Sequence, residues 1–379
     1  MSGRKRILYL QYTNPGGYPP LQHSSQLLAA AGWDVLFLGT GSFGSDSLPL
    51  ETSPHIRVRK LRFQPPGLRQ KLQYLYFCVW SLFWAVRFRA AWVYASDMLA
   101  CPAALLISAL SRVSIIYHEH DAPARRTDTC FERLQFAARS ACARRARVCV
   151  IPNAERAGIF AAEHDVTNTI VVWNCPAERE AAAAREPLNR QVRLLYHGTL
   201  VPQRLPLSVI DVLAQMREHV SITLVGYETT GSRGYVAQLC RRAEEVGVRD
   251  RVEYLGSLSR KDMMRVCRRC DVGLALLPGA AEDINLGNLV GASNKVFDYL
   301  ASGLAVIVSA LPQWEEAFVK SGYAVSTRSE SPSDLAAAIK SLCSDPVKLR
   351  AMGERGRRRI KAEWNYERQF QPVWQLLHS

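Results

Sequence analysis

Four clusters in this 379-residue chain combine residue types that could do chemistry. The first is His118-Glu119-His120-Asp121, two histidines and two acids in a row directly after an apolar run at 113–117. Imidazole and carboxylate together bind hydroxyls and move protons. A single histidine is more often structural, whereas four such residues at one strand end favour a site. The second is Gly16-Gly17 in the turn-rich segment 13–17. Without Cβ atoms their N–H groups can approach a phosphate or sugar at a helix start, although a plain tight turn explains the pair as well. The third is Gly198-Thr199 followed by Arg204, a loop where a guanidinium can meet phosphate oxygens, with Gly226 ending the next apolar run. The fourth is Asn294-Lys295 with Asp298 three residues on, on the same helix face. Lysine for phosphate and a carboxylate for a ribose diol would clamp a nucleotide; an ordinary i,i+3 ion pair is the alternative. Cys267 and Cys270 form the one tight cysteine pair, and no second pair or histidines follow at zinc spacing, so no metal site is expected.

Ligands of open parallel sheets bind beyond the carboxyl ends of the strands, so each cluster needs a strand before it. Apolar runs at 7–11, 35–38, 91–94, 113–117, 148–151 and 170–172 read as strands alternating with helical segments. An Ala-rich polar connector at 176–191 follows. The pattern then restarts with strands at 192–196, 222–225, 252–255, 272–277 and 305–308 and a helix over 208–218. A helix over 294–302 ends at Gly303. Alternating strands and helices predict an α/β chain of two Rossmann-like halves with parallel sheets.

The segment GASNKVFDYLASGLAVIVS resembles the nucleotide-sugar motif of family 4 glycosyltransferases, in the subgroup reading Asn-Lys, two residues, Glu-Tyr. RLLYHGTLVPQR is similar to that family's glycine-containing phosphate loop, ITLVGY and RVEYLGSLSRKDMMRVCRRCDVGLALLPG to the segments between, IIYHEHDAP to its N-terminal Tyr-x-x-His-Glu segment, and VVWNCP to the turn before the second domain. The matches run in order from about Arg6 to Val325. The resemblance implies a GT-B fold, two Rossmann-like domains whose sheets face each other across a cleft. It implies an acceptor domain over 1–175, a linker over 176–191, a nucleotide-sugar domain over 192–354, and a C-terminal helix over 355–379 returning to the N-terminal domain. It further implies a retaining, metal-independent transfer from a nucleotide sugar, such as a UDP- or GDP-sugar, to a glycan or lipid-linked acceptor, with no cofactor. Gly16, Gly17, Gly198, Thr199, Arg204, Gly226, Asn294, Lys295 and Asp298 would bind the donor, Asp298 taking the ribose. His120, with Asp121 beside it, would contact the sugar, and His118 is the fallback if the loop is registered differently. Two departures stand out. Val290 replaces the motif's first carboxylate, and Ala305 stands where the family prefers proline. The first keeps a catalytically silent donor-binding subunit in view, beside another GT-B enzyme such as a nucleotide-sugar epimerase.

Lys and Arg number 48 against 34 Asp and Glu, a net charge of +14. Such a surplus points to an anionic partner. The first 175 residues carry +9 of it, and no acid lies between Glu51 and Asp97, an interval with eight basic residues. Nine aromatics lie between Tyr74 and Tyr94, beside an apolar run at 72–86. Cations beside Trp, Tyr and Phe suit an interfacial membrane helix, so region 57–94 is expected to meet an anionic membrane surface; a buried core helix is the alternative. The 15-residue run is too short to span a bilayer. No helix-turn-helix, zinc-finger, RRM-like or KH-like pattern appears, so nucleic acid is not expected. The expected location is cytoplasmic, peripheral on the membrane face.

Overall fold

A computed structural model describes residues 5–43, 48–123, 129–185, 191–216, 220–278, 284–329 and 331–378. The chain forms two compact units, Met1–Trp173 with Gln369–Ser379, and Asn174–Arg368.

In the first unit β1 (Arg6–Gln11), β2 (Asp34–Thr40), β3 (Ile56–Leu61), β4 (Trp92–Ser96), β5 (Ser114–His118), β6 (Val148–Ile151) and β7 (Thr169–Val171) build one sheet in the order β3-β2-β1-β4-β5-β6-β7. All its pairings are parallel. Helices cover parallel sheets on both faces, which is why the central strands are continuously apolar; Ile7 to Leu10 and Val93 to Ala95 are fully buried. β3 escaped the sequence reading because it is an edge strand. Arg57, Arg59 and Lys60 are exposed along it, so its pattern reads as charge rather than as core, and such side chains also guard an edge against stray pairing.

In the second unit β8 (Val192–Thr199), β9 (Val220–Tyr227), β10 (Val252–Tyr254), β11 (Val272–Ala275), β12 (Ala305–Ser309) and β13 (Ala324–Thr327) run β10-β9-β8-β11-β12-β13. β13 was not expected either; four residues at a sheet edge give little pattern to read. In each sheet the strand order reverses once, at β1/β4 and at β8/β11. Those switch points are where an open α/β sheet binds ligands.

Residues 176–185 of the expected linker group with the second unit, and 186–190 lie outside the described residues, as do 217 and 218 of the expected helix over 208–218. Residues 355–368, expected to return to the N-terminal domain, group instead with the second unit. The reason is packing: helix Pro346–Ala362 buries Leu349, Met352 and Ile360 there, and Gly353 lies so close to the Gly303 carbonyl that a Cβ would clash. The segment Gln369–Ser379 joins the first unit, where Lys5 Nζ donates to the Leu377 carbonyl (3.1 Å) and His378 lies edge-on to Trp33.

Candidate functional site

β8 and β9 pair along their whole length, down to Gly198 opposite Gly226 and Thr199 opposite Tyr227. Gly198 (φ 118°) and Gly226 (φ 145°) occupy backbone conformations that favour glycine. A Cβ on Gly226 would stand 1.8 Å from the Gly198 carbonyl oxygen, and one on Gly198 would stand 3.0 Å from Lys295 Nζ. The bare backbone therefore lets the strand ends close up and lets Lys295 lie directly over them. Lys295 also sits over the Tyr196 ring, 4.9 Å from its centroid. Burial, with Arg204 adding repulsion, pushes its ammonium down to about 7. Arg204 donates to Thr199 Oγ1 (3.3 Å). Among the described residues neither Lys295 nor Arg204 makes an ion pair, so two cations converge on a glycine corner without an internal counter-charge. Asn294 opens the helix Asn294–Ala301, whose N-terminus adds a partial positive charge beside Lys295.

Asp298, expected to take the ribose, is engaged by Arg260. It is 1% exposed, and both its oxygens accept from Arg260, at 2.6 and 2.8 Å. Arg260 also donates to both oxygens of Glu180, at 2.8 and 3.0 Å. His197 Nε2 lies 3.5 Å from Asp298. Burial, then Lys295 and Arg260, push the His197 pKa well down, so its ring is neutral. The i,i+3 pairing of Lys295 with Asp298 is not formed: one meets Gly198, the other Arg260.

In the first unit Asn14 uses the Gly16-Gly17 pair internally. Its side chain accepts from Gly16 N (3.4 Å) and its carbonyl from Gly17 N (3.1 Å). A Cβ on Gly16 would stand 2.3 Å from the Leu48 carbonyl oxygen. The glycine here serves packing, and both N–H groups are bonded to Asn14. β5 runs one residue further than expected, which puts His118 inside the sheet opposite Ser96 and Val150. His118 is fully buried, bonded to Tyr94 Oη (2.7 Å), and lies behind His120, with ring centroids 3.8 Å apart. Glu119 is spent as well, accepting from Arg139 at 2.6 and 2.8 Å, deep in the unit. His120 is buried too, at 6% exposed, with Nε2 3.1 Å from Ser96 Oγ and its ring 5.0 Å from Tyr18. Burial and Arg156 hold its pKa at about 3, so its imidazole is neutral. Asp121 is exposed, with Arg156 3.9 Å away.

Sequence reasoning missed Asp97. It follows β4 at the β1/β4 switch point and accepts from the His120 N–H (2.9 Å). Its φ of 63° is unusual for a residue other than glycine, and such strain costs about 1–3 kcal/mol and clusters at functional sites. Burial pushes its carboxyl up to about 7. The rule that singled out residues after strands would have found it had strand 91–94 been followed to its end. Arg260 had a weaker signal: a cation at the first position of helix Arg260–Cys267 opposes the helix dipole and implies a carboxylate partner.

Helix Leu68–Phe88 buries Tyr74, Phe77, Ala85 and Phe88. Its opposite side exposes Leu68, Leu72, Leu75, Tyr76, Val79, Phe83 and Val86, an apolar stripe at three- and four-residue spacing. Arg59 stacks on Trp84 (4.1 Å) and Arg57 on Phe88 (5.4 Å) beside it. One face of this helix is core, and the other is open. Among the described residues no helix is long and apolar enough to cross a membrane, and no group of three or more His, Cys, Asp or Glu residues could hold a metal ion.

Residues 208–375 match the model of a family described as glycosyl transferase-like. Glycogen synthase of Mycobacterium tuberculosis (strain CDC 1551 / Oshkosh) is 24% identical over 200 residues, 52% of this chain and 45% of that protein; the alignment spans about half the length of the curated relatives matched. Sucrose-phosphate synthase from Thermosynechococcus elongatus superposes with a TM-score of 0.71 at 18% identity, covering 99% of this chain and 98% of that one. Anabaena Alr3699/HepE in complex with UDP and glucose gives 0.73 at 17% identity, covering 99% and 100%. The two parallel-sheet α/β units have the GT-B fold, and the matches support a glycosyltransferase enzyme.

Proposed function

We propose that this protein is a retaining, metal-independent glycosyltransferase that moves a sugar from a UDP-type nucleotide donor to a lipid-linked glycan acceptor on the cytoplasmic face of an anionic membrane. The observation that carries the reading is the pair of cations without internal counter-charge, Lys295 and Arg204, over the glycine corner of β8 and β9. A diphosphate supplies the missing anion. As the bond from anomeric carbon to diphosphate breaks, negative charge grows on the leaving group. Lys295, Arg204 and the N-terminus of helix Asn294–Ala301 would stabilise that charge, the part a divalent metal plays elsewhere. Retention rests on the motif resemblance. In the first unit, neutral His120, held by Asp97 through its backbone and by Ser96 through its ring, would bond a sugar or acceptor hydroxyl, with Asp121 at the rim. The stripe on helix Leu68–Phe88, with Arg57, Arg59, Arg69, Lys71, Arg87 and Arg89 around it, is complementary to anionic lipid.

A thermal-shift panel of nucleotides and nucleotide sugars tests the donor half. A UDP- or GDP-sugar should raise the Tm, and chelating divalent metals should leave the shift unchanged. A panel without any stabilising nucleotide refutes the reading. A second reading, a donor-binding subunit without turnover, is favoured by Val290 in the motif's first carboxylate position. Nucleotide-sugar binding without hydrolysis or transfer would select it.

A further inference from the structure

Asp298 and Arg260 belong to a network that reaches beyond the donor corner. The second unit begins at Asn174, where the chain arrives from the first. That arriving segment is stitched along the donor-motif helix Asn294–Ala301. Before the helix, Asn174 N donates to the Gly291 carbonyl (2.7 Å) and Asn174 Nδ2 to the Ala292 carbonyl (2.7 Å). At its middle, Glu180 reaches Asp298 through Arg260. At its end, Ala182 N donates to the Ala301 carbonyl (2.8 Å). The returning segment is tied in as well: Tyr366 N donates to the Pro176 carbonyl (2.9 Å), and Glu178 N to Glu367 Oε2 (2.8 Å). Both stretches that join the units are therefore bonded to one another, and the arriving one to the helix that carries Lys295.

We infer that Glu180-Arg260-Asp298 is a latch coupling the donor-motif helix to the segment 174–182, with Asp298 acting as a positioning residue and not as a ribose ligand. The inference rests on the donor reading above. Four N–H···O bonds run from one guanidinium to two carboxylates, and the side chains of Arg260 and Asp298 are 8% and 1% exposed. A planar fork held from both sides fixes direction as well as distance. Any shift of the helix when a diphosphate settles on Lys295 is passed to Glu180 and hence to both connecting stretches. Each Asp298 oxygen already accepts from Arg260, and the side chain is only 1% exposed to an incoming diol.

Hydrogen exchange with and without UDP, read at the Asn174 and Ala182 amides, tests this. Wild type should exchange these amides about 5-fold or more slowly when UDP is bound, the lower bound for a coupled site. Glu180→Gln should retain UDP affinity within about twofold and lose that protection, a difference that mere structural support would not produce. Asp298→Asn should leave the ratio of UDP to 3′-deoxy-UDP affinity at the wild-type value. Bound UDP with unchanged exchange at both amides overturns the latch, and so does an Asp298→Asn variant that no longer distinguishes UDP from 3′-deoxy-UDP, because that would place Asp298 on the ribose. If Asp298→Asn does not fold, the exchange comparison with Glu180→Gln decides alone. Wild type that binds no nucleotide at all overturns the donor reading and the latch together.

Discussion

Lys295 makes the donor reading quantitative. Its ordinary pKa of 10.5 falls to about 7 because the half-buried side chain loses water around its ammonium, and because Arg204 stands nearby. Near neutral pH this lysine therefore sits close to its titration range, unlike an ordinary one. A diphosphate favours the ammonium form, so the pKa in the complex lies above that of the free protein. The sign follows: well below pH 7 the lysine is charged in both states and affinity is flat. Above pH 7 binding must take up a proton, and affinity falls tenfold per unit until the pKa of the complex is reached. Between pH 6 and 8.5 the affinity for a UDP-sugar should drop roughly 30-fold. Isothermal titration with UDP-glucose suits the test, since its diester phosphates do not titrate in this range. Lys295→Met should bind about 10- to 150-fold more weakly at pH 6, from the loss of a charged hydrogen bond of ~1.5–3 kcal/mol, and its affinity should not vary with pH. Wild-type affinity that is level from pH 6 to 8.5, or a Lys295→Met variant that keeps the slope, refutes the reasoning.

Other perturbations reach the remaining parts of the molecule. His120→Ala should lower kcat/KM for transfer about 10- to 100-fold, and because the ring stays neutral the wild-type rate should show no histidine limb across roughly pH 5 to 8. Glu119→Ala leaves the Arg139 guanidinium buried with only Glu163 at 3.0 Å; denaturant titration should show a loss of about 3–5 kcal/mol. Replacing Val79 and Phe83 together by Glu should abolish flotation with anionic vesicles, which wild type shows at low salt and loses as salt rises. A wild type that stays off such vesicles at low salt removes the membrane from the account.

The strand-helix alternation and the two-unit architecture were legible because core strands and helices write different periods into the chain. The loops after strands were legible for the same reason, and Gly198, Gly226, Arg204 and Lys295 come together where the pattern placed them. Three things were hidden. β3 was masked by its own arginines, since an edge strand need not alternate as core strands do. The end of β5 lay one residue further on, which put His118 inside the sheet, and strand ends are the least determined feature of a local pattern. The third was partnership. Nothing local tells that Asp298 meets Arg260, 38 residues away, and Glu180 beyond it. Nor does Gly16 reveal that its missing Cβ makes room for the Leu48 carbonyl. Long-range pairing of this kind is not written into the local sequence.

The central claim is transfer from a nucleotide sugar, and turnover tests it most directly. Purified protein incubated with radiolabelled UDP-sugars and membrane lipid extract should release UDP and move label into the lipid fraction, with Lys295→Met reducing the rate by at least about tenfold. Wild-type protein that binds a UDP-sugar yet neither hydrolyses it nor labels any acceptor, with the same result for GDP-sugars, would contradict the account.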